Sequence, residues 1–207
     1  MRVRRSFGIG MVTAAAIVLL AACVPPAASG DETPSPDPEP TSSATSTSPS
    51  TSVPVFEQPE RCVDIITPET ASAFEAAGLE LLGGPGGTYG GEYFPEETAE
   101  ERAGGITCVW GDEDVLATTV VISVAPVTTA TRSGIVNDLI DQGLIESQID
   151  GAITYAQIGD ETSSQAMLNV IRSDSWISVI EAVGGEDRFQ RATELVDEVT
   201  GLVYVEP

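Results

Sequence analysis

Ile106-Thr107-Cys108-Val109-Trp110, then Gly111-Asp112-Glu113-Asp114, then Val115-Leu116-Ala117-Thr118-Thr119-Val120-Val121-Ile122-Ser123-Val124: this stretch decides the fold class. Two runs rich in β-branched and aromatic residues flank four turn formers, which predicts a hairpin of strands 106–110 and 115–124. Met167 to Arg172 and Trp176 to Ala182 repeat the pattern across Ser173-Asp174-Ser175, and a short strand is expected near Ala152–Ala156. Helical patterns lie between these pieces. Thr67-Pro68-Glu69 reads as a helix start, Ala71, Phe74 and Ala77 line one face, and Gly78 supplies a stop. Ser133 to Leu144 places Ile135, Val136, Leu139 and Ile140 on one side, and Glu186 to Leu202 does so with Phe189, Ala192, Leu195, Val196 and Val199. Helices interleaved with hairpins predict an α+β fold, an antiparallel sheet of about five strands covered by about three helices. Residues 56–207 form the expected single domain.

Upstream of that domain the chain has a different character. Arg2, Arg4 and Arg5 precede an apolar stretch that ends in Leu20-Ala21-Ala22-Cys23, the order of a secretory signal peptide. Its end resembles the bacterial lipobox, which implies a leader over 1–22 and diacylglyceryl transfer to the Cys23 thiol. An uncleaved membrane helix is the competing reading. Phe7 to Val24 offers 18 uncharged residues, at the lower edge of the roughly 20 that a span needs. Small residues before the cysteine and the lack of a following Lys/Arg cluster favour cleavage. Two acyl chains hold stably where one does not, each buried methylene contributing about 0.8 kcal/mol. Residues 23–55 then read as the lipidated cysteine and a disordered tether, Pro34-Ser35-Pro36-Asp37-Pro38-Glu39-Pro40 followed by a Ser/Thr run. At about 3.1 Å per residue it reaches on the order of 100 Å when fully extended. The expected location is the outer face of the plasma membrane.

Charge and residue usage exclude several function classes. The chain carries 32 acidic and nine basic residues, a net charge of −23, with no His. All nine basic residues are Arg, and loss of the three in the leader takes the mature chain to −26. Nucleic acid is not an expected partner, because so acidic a surface cannot neutralise phosphates. Without His there is no Ser-His-Asp triad and no histidine zinc site, and without Lys there is no Schiff base. Carboxylate pairs remain, and they leave an envelope hydrolase of glycosidase type open as an alternative. No cofactor or metal is expected. Asp112, Glu113 and Asp114 lack calcium-loop spacing and read as solvated turn residues.

Cys62 and Cys108, an even pair in an oxidising compartment once Cys23 is lipidated, read as a structural disulfide. There is no Cys-x-x-Cys spacing to suggest a redox pair instead.

The pattern Cys62-x-x-x-Ile66-Thr67-Pro68-Glu69, then Gly78, then Cys108-Val109-Trp110, resembles small actinobacterial cell-envelope lipoproteins of an uncharacterised domain family. Ile158-Gly159-Asp160-Glu161 is similar to a segment of such lipoproteins and of the extracellular sensor domains of receptor kinases. The resemblance covers about 62–182. It implies a bridged cysteine pair and an outer-face location, and it implies no activity.

The candidate ligand site is the Gly-rich stretch from Gly83 to Gly91, with Tyr89, Tyr93 and Phe94 as aromatic faces. It lacks the Gly-Lys-Ser/Thr ending of a phosphate loop, and a plain surface loop is its other reading. Trp110 and Trp176, both in strands, read as core. The leading functional expectation is a non-catalytic binding or sensing module, anchored to the membrane, for a small molecule, wall fragment or protein. A structural envelope spacer is the third reading.

Overall fold

A computed structural model describes residues 53–207; the expected leader, Cys23 and nearly all of the tether lie outside the described residues. Seven strands form one antiparallel sheet: β2 (Glu80–Gly83), β3 (Ile106–Asp112), β4 (Val115–Pro126), β5 (Ile145–Ile149), β6 (Ala152–Gln157), β7 (Ala166–Ile171) and β8 (Ser175–Glu181). Their order is β2-β3-β4-β8-β7-β6-β5. Two meanders therefore meet at the centre, where the last strand of each pairs over seven residues from Val120↔Glu181 to Pro126↔Ser175. Two short segments, β1 (Val55–Phe56) and β9 (Tyr204–Val205), make a separate antiparallel pair. Val55, assigned above to the tether, thus already faces Val205.

The fold class is α+β with an antiparallel sheet, but the strand count of about five is corrected to seven plus a two-stranded pair. Both hairpins and the short strand at 152–157 lie where the sequence places them. The additions within the sheet are its two edges. β2 has four residues, and β5 is exposed at all five positions, so neither shows the alternation that burial on one face writes into a strand. The described residues hold four α-helices where about three were expected. α1 (Pro68–Ala76), α3 (Arg132–Asp141) and α4 (Glu186–Val203) match the expected segments, and α2 (Ala99–Arg102) is one added turn. A capping box holds it: Thr98 accepts from the Glu101 N–H, and Glu101 accepts from the Thr98 N–H at 2.8 Å.

Helices cover both faces. α1 and α4 share a core with Cys108, Trp110, Ile122, Ile177 and Val179, whereas α2 and α3 pack with Ala125, Tyr155, Ile171 and Trp176. Trp110 and Trp176 are both buried, as the strand pattern implies. In α3 the inward stripe is Ile135 and Leu139; Ile140, expected on that side, is exposed. Polar anchors fix α4. Its Arg191 grips the buried Glu181 carboxylate through two guanidinium nitrogens, with Arg188 at 3.5 Å. Its Glu198 accepts from the Thr67 N–H and, at 2.6 Å, from the Thr70 hydroxyl, tying α4 to the start of α1.

Candidate functional site

The site is built at the β2 edge from local structure that the sequence encodes well. Thr67 caps α1 by accepting from the Thr70 N–H at 3.2 Å, Pro68 occupies the first helical position, and Gly78 ends the turn at φ +77°. The chain then reverses, the Leu79 N–H donating to Phe74 O at 2.9 Å, and enters β2. Leu81 pairs with Trp110 of β3, and the Phe74 ring packs tilted on the Trp110 indole, centroids 5.6 Å apart. Between α1 and this strand pair lies a groove of about 440 Å³. Its floor is Ile66, Phe74, Leu81 and Trp110, Val63 forms an apolar wall, and Glu75 and Glu80 stand on the rim.

A second depression of about 330 Å³ shares Gly78 and Glu80 with the groove and adds Asp112 and Glu113 from the β3–β4 turn. The two together carry four carboxylates, and no Arg lines either. A cation gains from such a rim, and an apolar group gains from the floor.

The disulfide and the Gly-rich loop hold this edge in place. Cys62 and Cys108 lie with their sulfurs 2.15 Å apart, closing the bridge across 46 positions. Gly84 sits against it at φ +90°; a Cβ there meets Thr107 O at 2.2 Å and Cys62 Sγ at 2.8 Å, so only glycine fits. The loop folds back on β2, the Thr88 and Tyr89 N–H groups donating to Leu81 O and Leu82 O at 3.0 and 2.8 Å. The stretch is therefore an ordered cover on the strand edge.

Tyr89, Tyr93 and Phe94 do come together. Their rings run in series, Tyr89 to Tyr93 at 6.3 Å and Tyr93 to Phe94 edge-on at 5.1 Å. Tyr93 rests on the Gly83 backbone, and the exposed Tyr89 hydroxyl donates to Glu113 Oε1 at 2.6 Å. That hydrogen bond raises the Tyr89 phenol above its ordinary value. None of the three lines the apolar groove; Tyr89 reaches the second depression only through Glu113. The sequence pattern does not mark the groove residues Phe74, Leu81, Trp110 and Glu80 as ligand contacts. The Phe74 and Trp110 pattern reads as core, and nothing in a linear pattern reports that a core edge stays open.

A different polar cluster occupies the sheet face under α2. Thr107, Ser123, Ser178, Asn169, Tyr155 and Glu146 stand opposite one another across six strands in one row. Neighbours satisfy them: Ser123 donates to Thr107 at 3.0 Å, Trp176 Nε1 to Asn169 at 3.0 Å, and the Tyr155 hydroxyl to Glu146 at 3.0 Å. Burial pushes the Glu100 carboxyl up, and a hydrogen bond with Ser178 opposes that shift in part. Glu100 lines neither depression, so its raised proton affinity serves no ligand there. At Asp160 the hydroxyls of Ser163 and Ser164, with the Thr162 N–H and hydroxyl, hold the carboxylate well below its usual range. This closes the turn before β7. Among the described residues, no group of three or more Cys, Asp or Glu is arranged to hold a metal ion, and no helix is long and apolar enough to cross a membrane. Comparison with protein-family models, curated proteins and solved structures gave no match.

Proposed function

We propose that this chain is a lipid-anchored, extracytoplasmic binding module of a bacterial envelope, and that its head takes a ligand in the groove between α1 and β2. The anchor is supported by Leu20-Ala21-Ala22-Cys23 behind a basic, apolar leader. The single observation that carries the binding role is the open groove itself, with Phe74, Leu81 and Trp110 on its floor and Glu75 and Glu80 on its rim. Concave sites with an apolar lining and a few placed polar groups are where proteins hold small ligands. The chemistry selects a molecule with an apolar body and a positive charge. Tyr89, Tyr93 and Phe94 extend the surface toward a second cationic group, since aromatic faces beside carboxylates favour cations.

Trp110 supplies the readout. An alkyltrimethylammonium below its micelle concentration is expected to change Trp110 fluorescence saturably in a Trp176→Phe background, and the alkyl sulfate of equal length is not. Ala71→Trp, which fills the groove from the α1 side, is expected to abolish the response, and Glu75→Gln with Glu80→Gln to weaken it. An equal response to the sulfate, or an undiminished one in Ala71→Trp, overturns the site. Mass spectrometry of the native protein tests the anchor separately: an unmodified Cys23 or a retained leader removes it.

A further inference from the structure

β5 ends the seven-stranded sheet, and among the described residues no strand lies on its outer edge. All five residues are exposed, with Ile145 at 73% and Ile149 at 53%. Natural edge strands are protected by Pro, Lys, bulges or covering segments. Ile145-Glu146-Ser147-Gln148-Ile149 has no Pro or basic residue, and it pairs with β6 at every position without a bulge. A bare five-residue edge with an exposed Ile at each end requires an explanation.

The hairpin geometry says which groups face outward. Asp150 and Gly151 both have positive φ, 48° and 79°, the two-residue primed turn that joins a tight hairpin. Ile149↔Ala152 flanks that turn and is therefore a hydrogen-bonded pair, and alternation makes Ser147↔Thr154 and Ile145↔Ala156 bonded as well. The backbone groups of Glu146 and Gln148 then point away from the sheet. Cross-strand neighbours share a face, so Ile145, Ser147 and Ile149 lie on the α4 side with Ala152 and Ala156.

The segment is self-complementary about its centre. We infer that β5 is a homodimer edge: two copies pair antiparallel about a two-fold axis through Ser147, joining two seven-stranded sheets into one of fourteen. In that register Glu146 faces Gln148 of the second copy, both outward-bonding, so their backbones exchange two hydrogen bonds at each of two symmetric places. Ile145 faces Ile149 of the second copy and buries apolar surface that the monomer exposes. Neighbouring registers fail on charge. A one-residue shift keeps outward-bonding residues from meeting, and the two-residue shifts set Glu146 against itself or against Asp150. A second copy fits the segment because an isologous contact requires the same strip to complement itself. With a chain as acidic as this one, the association is expected to strengthen as salt screens the mutual repulsion.

The test uses the full chain in detergent. Sedimentation equilibrium is expected to show a monomer–dimer equilibrium whose Kd falls between low salt and about 0.5 M salt. Gln148→Glu sets like charges opposite each other twice and is expected to raise Kd about tenfold, whereas Gln148→Arg, opposite Glu146, lowers it. Ser147→Cys places two thiols face to face at the axis and is expected to give a disulfide-linked dimer on mild oxidation. The exposed control Ser72→Cys and the wild type, which retain every native cysteine, are not. A monomer at about 1 mM in high salt, a dimer indifferent to the charge at 148, or Ser147→Cys crosslinking no better than Ser72→Cys overturns the proposal. So does crosslinking of Ser147→Cys to a different protein alone.

Discussion

The two edges of the sheet are finished in opposite ways. At β2 the Gly-rich loop folds over the strand and satisfies Leu81 O and Leu82 O, the Cys62–Cys108 bridge pins the chain, and three aromatic rings pack in series, tilted and edge-on. At β5 no residue is buried, and among the described residues no covering segment donates to the strand. The lesson is that β2 is an edge made rigid enough to hold a groove open, and β5 is an edge left free to pair. A covered strand end can position a site because its backbone is already bonded; an uncovered one offers its bonds to a partner.

The comparison breaks most severely at the bridge. Replacing Cys62 and Cys108 together by Ser is expected to cost about 4 kcal/mol in urea unfolding, from the released loop entropy of a crosslink of this span. A loss near zero would mean that the loop stays organised without it. Next comes Gly84→Ala, whose methyl has nowhere to go beside Thr107 O and Cys62 Sγ; the expected loss is about 3 kcal/mol. On the β5 side Gly143 also has a positive φ, +79°, but a Cβ there meets nothing within 4 Å. Gly143→Ala is therefore expected to cost only about 1 kcal/mol. Equal losses at the two glycines would erase the distinction between the edges.

Between the two edges, Glu100 of α2, buried against Ser178 of the central strand β8, adds a test through pH. Burial raises its folded proton affinity above that of the unfolded chain, near 4.5. The folded state then binds more protons between those two values, so stability falls as pH rises from 4.5 through the raised folded value. Glu100→Gln removes that loss. The variant is expected to melt higher than wild type near neutral pH, with the gap closing below pH 4.5. A gap that widens in acid contradicts the burial. The smallest effect belongs to the bare edge: Ile145→Thr, at an exposed position, is expected to shift the thermal stability of the dilute monomer by no more than about 0.5 kcal/mol.

Legibility followed burial. The hairpins at 106–124 and 167–181 were readable because they sit in the middle of the sheet, where covered faces demand continuous Val and Ile. α1 was readable through Thr67, Pro68 and Gly78, three local signals that need no partner. α2 carried its signal too, in Thr98 and Glu101, but a single turn offers no periodicity to support it. β5 had none, since Glu146, Ser147 and Gln148 in sequence look like a loop. At the site, the trio Tyr89, Tyr93 and Phe94 was legible as aromatic residues among glycines. The groove was not, because its floor is made of residues whose pattern says core.

What the sequence by itself determined is the kind of each central element, the α+β class and the cysteine pair, since propensity, capping and spacing act within a few residues. The tertiary structure decided which strand meets which: that β4 pairs with β8, its partners 49 to 61 positions apart, that β2 and β5 become the edges, and that α1 leaves a groove beside Leu81 and Trp110. Those outcomes depend on contacts between distant segments, and a window of neighbouring residues carries no term for a partner that folding has yet to bring alongside.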